Sequence, residues 1–200
     1  MRKIYLASSS RWRASILKSA GIVAELRPPM VDEESILGAD PVETARLRAR
    51  AKASFVWSRV SEESIVIAAD QVVYLDGEIF GKPKTAQAWL DRLQKFRGRG
   101  HNLTTAMCVW SKDVKKEIAE HSIVHFRSDV SQNELQTYIN YGEASGCAGG
   151  YMVESRGAWL IEKVEGDWQN VVGLPIFRLI SALRGFGYTL ADVIDSEVCK

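Results

Sequence analysis

The chain is poor in cysteine, and Cys108, Cys147 and Cys199 stand far apart without a CxxC pair. An odd, scattered set of thiols fits neither a structural zinc site nor a disulfide framework, so reduced cysteines in a cytoplasmic protein are expected. Long apolar runs are missing too. Residues 4–7 give way to polar Ser8, too short a run for a signal peptide, and nothing downstream approaches the length of a membrane span, so a soluble protein is expected. Neither sign of charge dominates: 26 Lys and Arg stand against 25 Asp and Glu, for a net charge of +1. The basic excess of a nucleic-acid binder is therefore lacking. Also absent are GxGxxG, GxSxG and HExxH motifs, internal repeats, and any Pro/Gly/Ser-rich linker that would divide the chain. The segment from Gly77 to Pro83 superficially resembles a P-loop, but its glycines are too close and proline replaces the Ser/Thr that would hold Mg²⁺. With 46% apolar residues in a length of 200, one domain over residues 1–190 with a loose tail over 191–200 is expected.

What the chain does hold is concentrated between Ser64 and Thr105. An apolar run over residues 64–69 reads as a buried strand with Asp70 at its end, where ligands bind in open α/β sheets. Residues 72–75 and 78–80 flank Asp76-Gly77, the signature of a type I′ hairpin. That hairpin would carry Gly81-Lys82-Pro83 back towards Asp70 and bring an acid and a lysine together. Thr85 then caps a helix to about Phe96, with Ala88, Leu90 and Leu93 facing the core and Gly98 just beyond its end.

Upstream, residues 3–7 predict a first strand running into Ser8-Ser9-Ser10-Arg11-Trp12-Arg13 and a helix with Ile16, Leu17 and Ala20 on its apolar side. Hydroxyls, the free N–H groups of a helix start and two arginines suit an anion such as phosphate. The same residues also read as an ordinary serine cap with solvated arginines. Trp12 either covers a core edge or offers a stacking surface. Residues 22–26 suggest a second strand, and Asp40 caps a helix that begins at Pro41 and runs through Ala45, Leu47, Ala51 and Phe55. Arg48 and Lys52 share a face of it, either a solvated stripe or a second wall of a polyanion site.

Downstream, residues 103–110 and 118–126 alternate as paired strands, with His121 and His125 on one face as exposed residues rather than metal ligands. Ser131 and Glu134 form a capping box for a helix through Leu135, Tyr138 and Ile139. Beyond Gly142-Glu143, glycines surround two expected short strands and Glu154, which precedes Ser155-Arg156-Gly157. A last helix is expected from Pro175.

Nine blocks occur in order: LASSSRWR, VDEE, RLRARAK, IAADQVV, GEIFGKP, GRGH, YINYGE, CAGGY and NVVGLP. Together they resemble the Maf-type nucleoside triphosphate pyrophosphatases over nearly the whole chain. The resemblance implies an α/β fold: an elongated mixed β-sheet flanked by helices, with two lobes around a deep nucleotide-binding cleft, as in inosine triphosphatase, and frequently a homodimer. It implies hydrolysis of a small-molecule nucleotide between its α and β phosphates, with a divalent cation, Mg²⁺ or Mn²⁺. Matched by position, the family's functional residues are Ser8, Arg13, Glu33, Lys52, Asp70 and Lys82. Asp70, Lys52 and Lys82 would serve catalysis, with Asp70 as proton acceptor; Ser8 and Arg13 would bind phosphate, and Glu33 with Asp70 the metal.

Departures inside the motifs refine this. Arg11 stands where most relatives have proline. The branch active on dTTP and UTP has Asp-Thr in place of Asp70-Gln71, and glutamine in place of Glu154. Trp12, Gln71 and Glu154 resemble instead the branch that cleaves 7-methyl-GTP. The chemistry is coherent: N7 methylation makes guanine cationic and able to stack on indole, and a carboxylate can accept from guanine N1–H and N2–H. The plainer alternative makes Trp12 a lid residue and pairs Glu154 with Arg156. The alternative functions are a dTTP/UTP pyrophosphatase, a house-cleaning enzyme for other modified nucleotides, and a non-catalytic nucleotide-binding regulator of septum formation.

Overall fold

The computed structural model describes residues 2–193. Its strands are β1 (Ile4–Leu6), β2 (Glu25–Leu26), β3 (Ile65–Leu75), β4 (Glu78–Phe80), β5 (Gly100–Trp110), β6 (Lys115–Phe126) and β7 (Ile161–Gly166). They form one seven-stranded sheet in the order β2-β1-β3-β5-β6-β7, with β4 beside β3. β1 runs parallel to β2 and β3, whereas β5, β6 and β7 follow antiparallel. The helices are α1 (Arg11–Ser19), α2 (Pro41–Trp57), α3 (Ala86–Phe96), α4 (Gln132–Tyr141), α5 (Trp168–Val172), α6 (Ile176–Gly185) and α7 (Leu190–Val193), with a 3-10 helix at Arg156–Leu160. This is the helix-flanked mixed sheet that the resemblance implies. No helix among the described residues is long and apolar enough to cross a membrane.

Because side chains alternate across a strand, β3 feeds three packing layers. Ile65, Ile67 and Ala69 pack with Ile16 and Leu17 of α1 and Leu179 of α6. Val66, Ala68 and Val72 point the other way, onto Ala45, Ala49 and Ala53 of α2. At its far end, Val73 and Leu75 join a third cluster under α3 and α4, with Phe80, Leu93, Phe96 and Leu135. The first two layers sandwich one end of the sheet and the third fills the other.

The edges of β3 show an interruption in strand pairing between these two ends. One edge pairs with β5 from Val66 to Tyr74. On the opposite edge β1 pairs only with residues 65–67, and β4 only with residues 73–75. Between them, residues 68–72 have no strand partner on that side among the described residues. The β3–β4 hairpin turns at Asp76 and Gly77, with φ of 50° and 82°, as the Asp-Gly signature predicts.

Several sequence expectations need correction. Asp70 is not at a strand end: β3 continues to Leu75 because β5 keeps pairing with it, Asp70 opposite Ala106 and Gln71 opposite Thr105. The second strand shrinks from residues 22–26 to Glu25–Leu26, since β1 offers only Tyr5 and Leu6 as partners. In place of two short strands after Gly142 there is one, β7, followed by α5. That helix starts where the Asp167 carboxylate accepts from the backbone N–H groups of Gln169 and Asn170, at 2.7 and 3.4 Å. In α3 Ala88 is exposed and Trp89 is buried instead, whereas α2 runs through the expected residues and buries Ala45, Ala49, Ala53 and Val56. Of the expected tail, residues 191–193 belong to the short helix Leu190–Val193, at whose start Asp192 accepts from Thr189, while residues 194–200 lie outside the described residues.

Candidate functional site

Asp70 shares the α2 side of β3 with Ala68 and Val72, and α2 lies close because Ala45, Ala49 and Ala53 present no bulk to the sheet. Lys52 rides on the same face of α2 and is only 4% exposed. Its ammonium bonds Asp70 Oδ1 at 2.7 Å and Glu33 Oε2 at 2.8 Å. The reading of Lys52 as part of a solvated stripe is thereby overturned. A lysine this deep needs both carboxylates, since an unpaired buried charge costs several kcal/mol, on the order of 3–5 when one partner is removed. Arg48, one turn earlier, holds the loop that delivers Glu33: its Nε donates to the Ile36 carbonyl at 3.0 Å. Thr44 Oγ1 accepts from Gly38 N–H at 2.9 Å in the same loop. Gly38 must be glycine, for a Cβ there would stand 2.6 Å from the Thr44 nitrogen.

The two carboxyls titrate differently. Burial pushes Asp70 above its ordinary value and Glu33 adds to this, against the pull of Lys52 and Arg13. Burial also acts on Glu33, but there the Lys52 charge and hydrogen bond prevail and hold it low. Asp70 is thus the carboxyl poised to take a proton, with Glu33 ionised beside it. Asp70 Oδ2 is buried and has no hydrogen-bond partner, an acceptor left for something outside the described residues.

Ser8 and Arg13 meet on the other side of the gap. β1 ends at Leu6, and Ser10 caps α1 by accepting from Arg13 N–H at 3.4 Å. Ser8 Oγ accepts from the Ser10 N–H at 3.1 Å and from Arg13 Nη1 at 3.4 Å. Arg13 Nε donates to the carbonyl of Gly173, just past α5, at 3.0 Å. Burial lowers the guanidinium pKa of Arg13, while Asp70 and Glu33 raise it, so all three groups share one electrostatic neighbourhood.

Lys82 is not brought onto Asp70 by the hairpin. Pairing between β3 and β4 stops at Val73–Phe80, and beyond it Lys82 is exposed, in a segment with neither helix nor strand. The lysine partner of Asp70 is Lys52 instead, delivered by a helix remote in sequence. Lys82 and Arg11 are both close enough to Cys147 to act on its thiol, which burial and Glu154 push up to about 11 against them.

Gln71, next in sequence to Asp70, points to the opposite sheet face. Its amide donates to Thr105 Oγ1 at 3.1 Å, directly across the β3–β5 ladder, and to the Asn170 carbonyl of α5. Trp12 is half-buried, with the Arg11 guanidinium 4.6 Å above its ring, and its indole lies beside Gly146. Glu154 is exposed, yet partial burial raises its pKa. It does not pair with Arg156, which instead bonds Glu143 at 3.0 Å.

Three participants were not expected from the sequence. The carbonyls of Asn170 and Gly173 anchor Gln71 and Arg13, and backbone acceptors leave no side-chain signal, although both residues fall in the NVVGLP block. Glu143 lies in YINYGE, whose carboxylate read only as the end of a helix.

An acidic pair bridged by a buried lysine, beside a serine–arginine turn at an interrupted strand edge, defines a mixed α/β protein equipped for a polyanionic ligand. The Maf-like protein family model matches residues 3–186, and the chain belongs to that family. It is 41% identical to the dTTP/UTP pyrophosphatase of Aquifex aeolicus, over 91% of this chain and 94% of that protein. It is 36% identical to a nucleoside triphosphate pyrophosphatase of Synechococcus, over 94% of this chain and 96% of that one. Among solved structures, the Staphylococcus aureus Ham1 protein aligns at 18% identity with a TM-score of 0.43, covering 64% of this chain and 73% of that chain.

Proposed function

We propose that this protein is a nucleoside triphosphate pyrophosphatase that hydrolyses the α–β phosphoanhydride of 7-methyl-GTP. The hydrolase class is supported by family membership and by relatives named as nucleoside triphosphate pyrophosphatases. The observation that carries the mechanism is the Glu33–Lys52–Asp70 chain beside the unpaired edge of β3, with one Asp70 oxygen unpartnered. Asp70 takes the proton of the attacking water as its oxygen bonds to the α phosphorus, and pyrophosphate departs. Arg13, Lys52 and Ser8 offset charge on the phosphate oxygens. Lys82 would join them only by swinging in on its exposed segment.

A divalent cation suits this donor set in part. No group of three or more His, Cys, Asp or Glu side chains capable of holding a metal occurs among the described residues. Asp70 Oδ2 and the Glu33 carboxylate supply two hard oxygen ligands, and Mg²⁺ or Mn²⁺ ordinarily completes such a shell with substrate phosphates and water. Bound there, the cation would neutralise phosphate charge.

For the base, the support is the Glu154 carboxylate, which has no ion pair among the described residues, and the half-buried indole of Trp12. Glu154 suits the two N–H donors of guanine, and Trp12 suits a cationic ring. The second reading, a dTTP/UTP pyrophosphatase, is favoured by the Aquifex relative's name. The deciding experiment is pyrophosphate release from 7-methyl-GTP, GTP, dTTP and UTP. The expected order puts 7-methyl-GTP first, with Trp12→Ala reducing its lead over GTP by the ~0.5–2 kcal/mol of a cation–π contact. Efficient cleavage of dTTP with 7-methyl-GTP ignored selects the second reading. A homodimer is also proposed, and light scattering of the purified protein reads it directly.

A further inference from the structure

The loop from Gly142 to Gly157 is held from several sides. Trp89 Nε1 of α3 donates to the Gly150 carbonyl at 2.6 Å, and Tyr138 Oη of α4 accepts from Met152 N–H at 3.0 Å. Just past Glu154, one carboxylate gathers three donors. Glu143 accepts from Ser155 Oγ at 3.0 Å, from Arg156 Nη1 at 3.0 Å and from Gly157 N–H at 3.2 Å. Its side chain is only 11% exposed, while that of Arg156 is 59% exposed. Gly157 is tightly enclosed, since a Cβ there would lie 2.5 Å from the Met152 carbonyl oxygen, so this corner has little freedom to rearrange.

Glu143 therefore fixes the backbone immediately after Glu154, and it occupies the one cation nearest to Glu154 in sequence. Arg156 is two residues from Glu154 on a long flexible side chain, within easy reach of it if released. A Glu154 paired with Arg156 would have its acceptor oxygens filled and its charge offset, and would lose its advantage for a donor-rich base. We infer that Glu143 is a positioning residue for base selection: by holding Arg156 away, it keeps the Glu154 carboxylate free to receive the base. The inference rests on the proposed role of Glu154. The held-down pKa of Glu143 agrees, since burial would raise it but the hydrogen bonds from Arg156, Ser155, Tyr138 and Gly157 prevail.

The test measures kcat/KM for 7-methyl-GTP and dTTP in four variants of the full chain. Glu143→Gln keeps one acceptor for Gly157 but removes the one that holds Arg156, and the ratio of 7-methyl-GTP to dTTP should fall several-fold. Glu143→Gln with Arg156→Ala should recover that ratio, because the competing cation is gone. Arg156→Ala alone should leave the ratio unchanged, and this arm remains decisive if Glu143→Gln does not fold. An equal loss on both nucleotides in Glu143→Gln, no recovery in the double variant, or a changed ratio in Arg156→Ala overturns the inference. Glu154→Gln separates the two levels: if it leaves the ratio unmoved, the base reading has failed and takes the inference with it. If it lowers the ratio and Glu143→Gln does not, the inference alone has failed.

Discussion

At the scale of single residues, two neighbouring carboxyls titrate in opposite directions. Asp70 is buried and pushed up, whereas the Lys52 ammonium holds Glu33 down. A base works only when deprotonated, so kcat/KM should fall on the acid side at a pH above the ordinary aspartate range. In Lys52→Met, burial and Glu33 both still push Asp70 up, while the larger of the two opposing charges is gone and only Arg13 is left to pull it down. The acid limb of the pH profile should move to higher pH; an unmoved limb would mean that another group titrates there. Asp70→Asn should abolish pyrophosphate release yet still bind nucleotide by calorimetry, because Arg13 and Ser8 are untouched. The acid itself was legible in the sequence, but its partner was not. Asp70 and Lys82 are close in sequence and linked by a hairpin, which suggested contact, while the real contact needs α2 to pack its alanines against β3. Gln71 was named as a specificity residue through the motif resemblance alone, which does not show that the two-residue period of a strand sends it to the face opposite Asp70.

At the scale of elements, local signals read well wherever one residue dictates the backbone. Thr85, Asp40 and the Ser131/Glu134 box cap α3, α2 and α4 as their side chains require, and Gly142 ends α4 with φ of 68°. The Ser131 cap is exposed and self-contained, so Ser131→Ala should cost about 1 kcal/mol in urea unfolding with kinetics unaltered. A change in nucleotide turnover would show that α4 is coupled to the site more tightly than its position suggests. Elements whose limits depend on distant partners were misjudged: β3 runs past its apolar segment because β5 accompanies it, and β2 is cut short because β1 is. The 3-10 turn at Arg156–Leu160 and the short α5 were missed for the same reason, since glycine density signals close packing without saying what packs.

At the scale of the whole molecule, one sheet carries a core at each end, and the gap along β3 falls between them. The family blocks made the mixed sheet and its helices legible in advance, but not the interrupted edge, which exists only as the difference between two strand pairings. The far core contains a pH liability. His101 is fully buried, stacked on Phe96 with ring centroids 3.9 Å apart, and its Nε2 lies 2.8 Å from Tyr151 Oη. Burial, with a smaller push from His125, lowers its pKa to about 3 from 6.5. A base that resists protonation when folded but accepts it when unfolded destabilises the fold as pH drops. Stability should therefore decline from about pH 6.5 towards pH 3, by an amount on the order of 4 kcal/mol if His101 acts alone. Urea midpoints across that range should decline less steeply in His101→Gln; parallel curves would move the liability elsewhere.

The central claim, that the gap beside Asp70 directs water to the α phosphorus of a nucleotide, is tested most directly by hydrolysis of 7-methyl-GTP in ¹⁸O-labelled water with mass analysis of both products. The account predicts one labelled oxygen in 7-methyl-GMP and none in the pyrophosphate. Label in the pyrophosphate, or release of inorganic phosphate in its place, would contradict it.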